Sequence, residues 1–282
     1  MLQKPLIKQT GLYLLAFLIV IWGALPIYWG FVASIKNQTG YLADPFTLIP
    51  HLDEISFDSY IKVFSQYPFA MYYKNGLIIA SASTILIIII GVPAAYSFTR
   101  LRFPGRRFLF YLLVFSLMFP WLVLAIPVFE IYASLKLMDT YIGLIIIYLS
   151  VMLPLALWLL KGFFEEAINK DLEDAARVDG TSKMGAFFRV ILPLTIPAIG
   201  AVAIFSFLFI WNDFIWVFFL TSSEEKRTAV VSIHYMMGSD TTRVWNQLFS
   251  AVCLVALPPI FIFSILQRYL ATGLQATSGL KG

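Results

Sequence analysis

The stretch Asp171-Leu172-Glu173-Asp174-Ala175-Ala176-Arg177-Val178-Asp179-Gly180 puts five charged side chains between two long apolar runs. Its order is that of a short capped helix. Asp171 is a candidate N-cap, acids fill the first turn with one at the third helical position, and Gly180 supplies a left-handed terminator. Leu172, Ala175, Ala176 and Asp179 recur at helical spacing on one face, and its small side chains would let another protein come close to the backbone. Thr181 or Ser182 can start a second helix that carries Phe187, Phe188 and Val190 before Leu192-Pro193 leads into the next apolar run. A helix-turn-helix exposed to water is therefore expected here.

On either side of this stretch the composition decides the environment. Of 282 residues, 60% are apolar types, 17% are aromatic and 13% are charged, and the mean hydropathy is +0.83. A soluble domain carries about a quarter charged residues and a disordered chain cannot hold so many aromatics, so both classes are excluded. Crossing a bilayer takes about 20 mostly apolar residues, and six intervals meet that requirement. They predict spans near 11–35, 75–99, 108–129, 140–160, 195–220 and 245–268, with the charged loop at 161–193 between the fourth and fifth. The expected fold class is an all-α membrane protein of six transmembrane helices, as a single transmembrane domain over 1–282. The first interval is about twice the length of a secretory signal core, so it reads as an anchor that stays. Prolines such as Pro26, Pro93, Pro120, Pro154, Pro197 and Pro258 imply kinked helices packed against one another. No repeat of 20 to 50 residues is visible.

Six crossings put both termini on one side. Placing them in the cytosol leaves 13 of the 20 basic residues inside and 7 outside, with Arg100, Arg102, Arg106 and Arg107 in one short inner loop. The positive-inside rule favours that orientation. The net charge of +4 is small and scattered, so nucleic acid is not expected as a partner. Cys253 is the sole cysteine, which excludes an intrachain disulfide and a cysteine-based metal site.

Asp174-Ala175-Ala176, then Gly180, then Val190-Ile191-Leu192-Pro193, resembles the EAA loop of ABC importer permeases, with Asp174 for the usual Glu and Val190 for the usual Ile. Phe103-Pro104-Gly105-Arg106-Arg107, Trp211-Asn212-Asp213 and the ending from Gly273-Leu274 through Gly279-Leu280-Lys281-Gly282 resemble the carbohydrate-uptake branch, in particular the maltose-type permease without a large extra outer domain. The resemblance implies the type I ABC importer permease fold, with both termini cytosolic, in the inner membrane of a bacterium or archaeon. It implies a second permease subunit, two ATP-binding subunits and an extracytoplasmic solute-binding protein as partners. It also makes Leu172, Glu173, Asp174, Ala175, Ala176, Asp179, Gly180, Lys281 and Gly282 the residues that couple to the ATPases. The chain would then be a transport subunit and not an enzyme, moving an oligosaccharide, disaccharide or polyol by alternating access. No cofactor is expected on it. ATP and Mg would sit on the partner ATPase, which agrees with the absence of any G-x-x-x-x-G-K-[ST] string here.

An ionisable group in a spanning helix costs at least about 2.5 kcal/mol unless it faces a bundle interior or a wet cavity. Asp213 is thus a candidate functional residue. With Trp211, Asn212 and Trp216 it offers the hydrogen bonds and aromatic faces that sugars use, and helix packing accounts for it equally well. An ion-coupled carrier or channel using Asp213 and Glu130 is the competing reading. The outer segments Lys36 to Lys74 and Thr221 to Arg243 are long and polar enough to receive a solute-binding protein. His51 and His234 are far apart and receive no role.

The orientation can be checked by labelling. With Cys253→Ala as background, Lys226→Cys should react with a membrane-impermeant maleimide in intact cells, and Arg106→Cys only after permeabilisation. The opposite pattern would invert the topology.

Overall fold

The computed structural model describes residues 6–166, 168, 170–237 and 244–278, with side chains described over 11–165, 168, 171–237 and 244–268. Helices follow one another as α1 (Leu6–Ile35), α2 (Gln38–Ala43), α3 (Asp58–Gln66), α4 (Phe69–Arg100), α5 (Arg106–Ser116), α6 (Ala125–Ser134), α7 (Tyr141–Glu166), α8 (Lys170–Val178), α9 (Lys183–Ala186), α10 (Leu192–Trp211), α11 (Ile215–Leu220), α12 (Ala229–Met236) and α13 (Trp245–Ser278). A five-residue π segment, Phe187–Ile191, joins α9 to α10. No strand occurs among the described residues apart from an isolated antiparallel bridge between Lys36 and Ile55.

Among the described residues five helical stretches are long and apolar enough to cross a membrane: Gly11–Ile35, Phe69–Arg100, Tyr141–Glu165, Lys183–Trp211 and Trp245–Arg268. The shortest has 24 residues, and at 1.5 Å per residue that exceeds a hydrocarbon core of about 30 Å.

Two apolar intervals differ from the sequence expectation. The third, 108–129, is divided between α5 and α6, each too short to span alone. Between them the chain runs through three-residue turns: the amides of Leu117, Met118, Val123, Leu124 and Ala125 each bond to the carbonyl three residues back. Pro120 lies in the middle of this break, where it has no N–H to donate and its ring opposes the preceding turn. The fifth differs as well. Its helix begins at Lys183 rather than near Thr195 and ends at Trp211, so Asp213 occupies a gap between α10 and α11 instead of a helix interior.

By compactness the chain divides into two units: Met1–Ala70 with Ile233–Leu257, and Met71–Ser232 with Pro258–Gly282. In the first unit no residue of the apolar window of α1 is buried. Only its last turns are packed, where Ser34 accepts at its carbonyl from the hydroxyls of Ser59 (3.0 Å) and Ser250 (3.1 Å). Lys36 is fully buried, a costly place for an ammonium. It donates to the Asp44 carbonyl at 2.8 Å and pairs with Glu54 at 3.4 Å, and Asn246 donates to its carbonyl at 3.1 Å. The segment after α1, read from sequence as a polar loop, is thus folded through α2 and α3 around a buried cation.

The second unit is built on α7 and α10. On α7 the buried residues Leu144, Tyr148, Met152, Ala156, Leu160 and Phe164 recur every fourth position. On α10 Thr195, Ala198, Val202, Ser206 and Ile210 make the facing stripe. Two such ridges interlock as helices do elsewhere in proteins. The end of α4 near Asn75 holds the segment 221–227. Asn75 donates to the carbonyls of Glu225 and Arg227, each at 2.8 Å, accepts from Tyr141 at 2.7 Å, and Tyr72 donates to Glu224 at 2.5 Å.

Before α7, Asp139 adopts a left-handed backbone (φ 59°) and accepts from the amides of Ser222 (3.1 Å) and Ser223 (3.0 Å). Burial disfavours its charge, but the hydrogen bonds from Ser223 and Ser222 outweigh that and hold the carboxyl below the usual range. A depressed carboxyl stabilises the fold above its unfolded pKa of about 3.9, and the contribution disappears as pH falls through the folded value. Asp139→Asn keeps the turn and an acceptor and removes only the charge. Its melting temperature should fall below wild type at pH 7, with the gap closing below about pH 4. A gap that persists unchanged to pH 3 would contradict this account.

Candidate functional site

Helix α8 starts at Lys170, so Asp171 lies in its first turn and is not the N-cap. The negative charges of Asp171 and Glu173 stand at the positive end of the helix dipole and Arg177 at the negative end. At the other end the sequence reading of Gly180 holds. Its φ is +83°, its amide bonds to the Arg177 carbonyl at 3.0 Å, and the Thr181 amide reaches back to the Ala176 carbonyl at 3.0 Å. This pair of bonds is a Schellman cap, which calls for glycine at this position. The Ser182 hydroxyl then accepts from the Gly185 amide at 3.1 Å and starts α9.

The faces of α8 have opposite characters. Leu172 (45% exposed), Ala175, Val178 (87%) and Asp179 are open, and Met184 and Phe188 continue this apolar surface beyond the turn. Ala176, expected on the same open face, is half-buried. Asp174 and Arg177 form an exposed pair at 3.6 Å, worth little energetically, beside an open groove of about 630 Å³ lined also by Thr181 and Lys183. Glu173 turns inward. Its carboxylate accepts from the Tyr96 hydroxyl at 2.6 Å and lies 3.7 Å from the Arg100 guanidinium, both on α4. Arg100 also donates to the carbonyls of Phe164 (3.2 Å) and Ile168 (2.5 Å).

The second candidate group is brought together through contacts between helices. Asp213 accepts from the Tyr148 hydroxyl on α7 and from the Trp216 amide, both at 2.9 Å, so its carboxylate joins α7 to the start of α11. Trp211 is buried, stacked on Phe207 and set edge-on to Tyr73, and it lies so close to Gly76 that a Cβ there would stand 3.0 Å from its ring. Trp216 is buried near Trp121. Asn212 is the exposed member, its amide donating to the Leu208 carbonyl at 2.8 Å. Glu130 is exposed on α6. Lys281 and Gly282 lie outside the described residues. Among the described residues no three His, Cys, Asp or Glu side chains stand close enough to hold a metal ion.

Sequence reasoning overlooked Tyr96, Arg100 and Tyr148. Arg100 is legible only as a charge ending an apolar interval, and the two tyrosines lie inside such intervals. Their partners are 77, 64 to 73 and 65 positions away.

Residues 87–275 match the family described as binding-protein-dependent transport system inner membrane component. Over nearly the whole length the chain is similar to the trehalose transport system permease protein SugB of Mycobacterium tuberculosis, 36% identical over 277 residues, 98% of each chain. It is also similar to the sulfoquinovosyl glycerol transport system permease protein SmoH of Agrobacterium fabrum, 31% identical over 96% of this chain and 93% of that one. The sn-glycerol-3-phosphate transport system permease protein UgpE of Pectobacterium atrosepticum is 32% identical over 95% and 97%. In fold it matches a chain of the crystal structure of a bacterial ABC transporter involved in import of the acidic polysaccharide alginate. The TM-score there is 0.80 with 21% identity, covering 95% of this chain and 99% of that one.

Removing the Tyr148 hydroxyl should leave the Asp213 carboxylate without a side-chain donor. Tyr148→Phe is expected to destabilise the detergent-solubilised protein by about 1.5–3 kcal/mol, seen as a lower melting temperature. Asn212→Ala, which disturbs only a local bond, should stay within about 0.5 kcal/mol of wild type. Equal melting temperatures for Tyr148→Phe and wild type would return Asp213 to the list of groups free for other work.

Proposed function

The chain belongs to the family of inner membrane components of binding-protein-dependent transport systems, and from that premise we propose that it is one of two permease subunits of an ATP-driven importer for a carbohydrate or related polyol. As a member of that family it is a multi-pass membrane protein with the ABC importer permease fold, whose transport depends on a solute-binding protein. The solute class is supported by its relatives, whose names give trehalose, sulfoquinovosyl glycerol and sn-glycerol-3-phosphate. We read α5, the break after it and α6 together as the third of six crossings, with both termini and α8 on the cytosolic side.

The observation that carries the reading is α8: a helix capped at Gly180 by a Schellman motif, open on its apolar outer face and joined directly to the helix that ends at Trp211. Such a helix can be pushed as a unit by the chain that grips it. With ATP and Mg on partner ATPases, their closure would displace α8 and, through it, the spanning helices. Moving a two-state transporter from 1:99 to 99:1 takes about 5.5 kcal/mol of differential binding, which calls for a broad docked surface and not a single contact. We assign Leu172, Asp174, Ala175 and Asp179 to that surface, with Ala176 half-buried behind it and Gly180 ending the helix.

Of the four residues proposed for the solute path, Asn212 is exposed and Asp213 half-buried, while Trp211 and Trp216 are buried. An ion-coupled carrier built on Asp213 and Glu130 gains nothing here. The Asp213 carboxylate is engaged by Tyr148 and α11, and the family is a binding-protein-dependent one.

Two substitutions test the lever. Proline cannot adopt a φ of +83°, so Gly180→Pro breaks the cap, and Ala176→Trp forces α8 away from its support. Both proteins should reach the membrane in normal amounts and lower uptake of the radiolabelled solute by about tenfold or more, a coupling loss of at least 1.4 kcal/mol. Wild-type uptake in either variant would count against α8 as the coupling element.

A further inference from the structure

We infer that Arg100, Tyr96 and Glu173 form the joint that carries movement of α8 into α4, a positioning role separate from any contact with an ATPase and resting on the reading of α8 as the coupling helix. Arg100 is the last residue of α4 and its side chain is 4% exposed; that of Glu173 is 13% exposed. From this one point the guanidinium reaches three partners. It donates to the carbonyls of Phe164 and Ile168, at and just beyond the end of α7, where last-turn carbonyls lack intrahelical partners. It also faces the carboxylate of Glu173 in the first turn of α8. Tyr96, one turn earlier on α4, donates to the second oxygen of the same carboxylate, and its ring packs against Phe187 of the π segment at 4.7 Å and Phe164 of α7 at 6.2 Å.

α4, α7 and α8 therefore meet at one set of buried polar contacts, with Phe187 of the π segment packed against it through the Tyr96 ring. If α8 slid independently of α4, a desolvated guanidinium and a desolvated carboxylate would be separated inside the protein, and breaking a buried pair is strongly unfavourable. Displacement of α8 must then draw the end of α4 with it. The exposed face of α8 carries a contact of another kind, since its ion pair of Asp174 with Arg177 is short-range and solvent-exposed. The helix thus grips the permease body with Glu173 and presents Asp174, one residue on, to a partner. Nη2 donates to both carbonyls, while Nε faces the Glu173 carboxylate at 3.7 Å as an ion pair without a hydrogen bond, so the guanidinium meets carbonyls and carboxylate with different nitrogens, which the single nitrogen of an ammonium cannot do.

The test uses the complete importer, this chain with its partner permease and ATPases, reconstituted in proteoliposomes with its binding protein. The quantity read is solute transported per ATP hydrolysed. Arg100→Lys and Tyr96→Phe touch no part of the outer face of α8, so the ATPases should assemble with each variant and hydrolyse ATP. Solute per ATP should drop about tenfold in Arg100→Lys and less in Tyr96→Phe, the range expected for loss of a coupling free energy. Exchanging the charges, Arg100→Glu with Glu173→Arg, should recover more transport per ATP than Arg100→Glu alone.

An unchanged ratio in Arg100→Lys would overturn the inference. So would a proportional fall of transport and hydrolysis together, or assembly lost in both singles and not regained in the exchange, since either result would assign these residues to folding or docking. Failure of the wild-type chain to assemble with any ATPase is a different outcome, which removes the coupling reading itself.

Discussion

A hydrocarbon slab about 30 Å thick offers no partner to an N–H or a C=O, so every backbone group that crosses it must be satisfied by its own chain. Helices follow from that constraint wherever 60% of residues are apolar, and the five long ones here are its direct product. The same constraint explains the exceptions. Between α5 and α6 the chain closes three-residue turns around Pro120, and between α10 and α11 the carboxylate of Asp213 takes up the amide of Trp216. Where the helix stops, something nearby supplies the missing bond.

Charge obeys the same rule more severely. Lys36 is held by Glu54 and a carbonyl, Asp213 by Tyr148 and an amide, and Arg100 by two carbonyls and Glu173. Each buried charge joins elements distant in sequence, so these residues fix how helices meet within their unit, while apolar stripes such as that of α7 supply most of the burial. Charge left outside is arranged differently. On the outer face of α8 it is loose and solvated, which suits a surface that has to meet another chain.

What could be read from the sequence follows from which interactions are local. The C-cap of α8 and the N-cap of α9 are set within five residues, so Gly180, and Ser182 as one of two candidates, could be recognised from their neighbours alone, and hydropathy over 20 residues marks the long helices because lipid acts on every position. Helix ends inside apolar stretches carry no such mark. Pro120 reads as a kink until the turns around it are seen, and nothing local says that the helix stops at Trp211, so Asp213 was expected inside a helix. The inward turn of Glu173 depends on Arg100 and Tyr96, more than 70 residues earlier, and the Asp213 bond to Tyr148 spans 65. A family resemblance at Asp174-Ala175-Ala176 identified the helix but could not say which of its faces meets the rest of the chain.

The central claim is that this chain is a permease driven by ATPases bound through α8. Mild-detergent affinity purification from the native membrane, with mass spectrometry of the proteins that accompany it, tests that claim most directly. The account predicts a second permease and an ATP-binding subunit in stoichiometric amounts, with the ATP-binding subunit lost in Gly180→Pro. Recovery of the chain alone, or only with copies of itself, would contradict it.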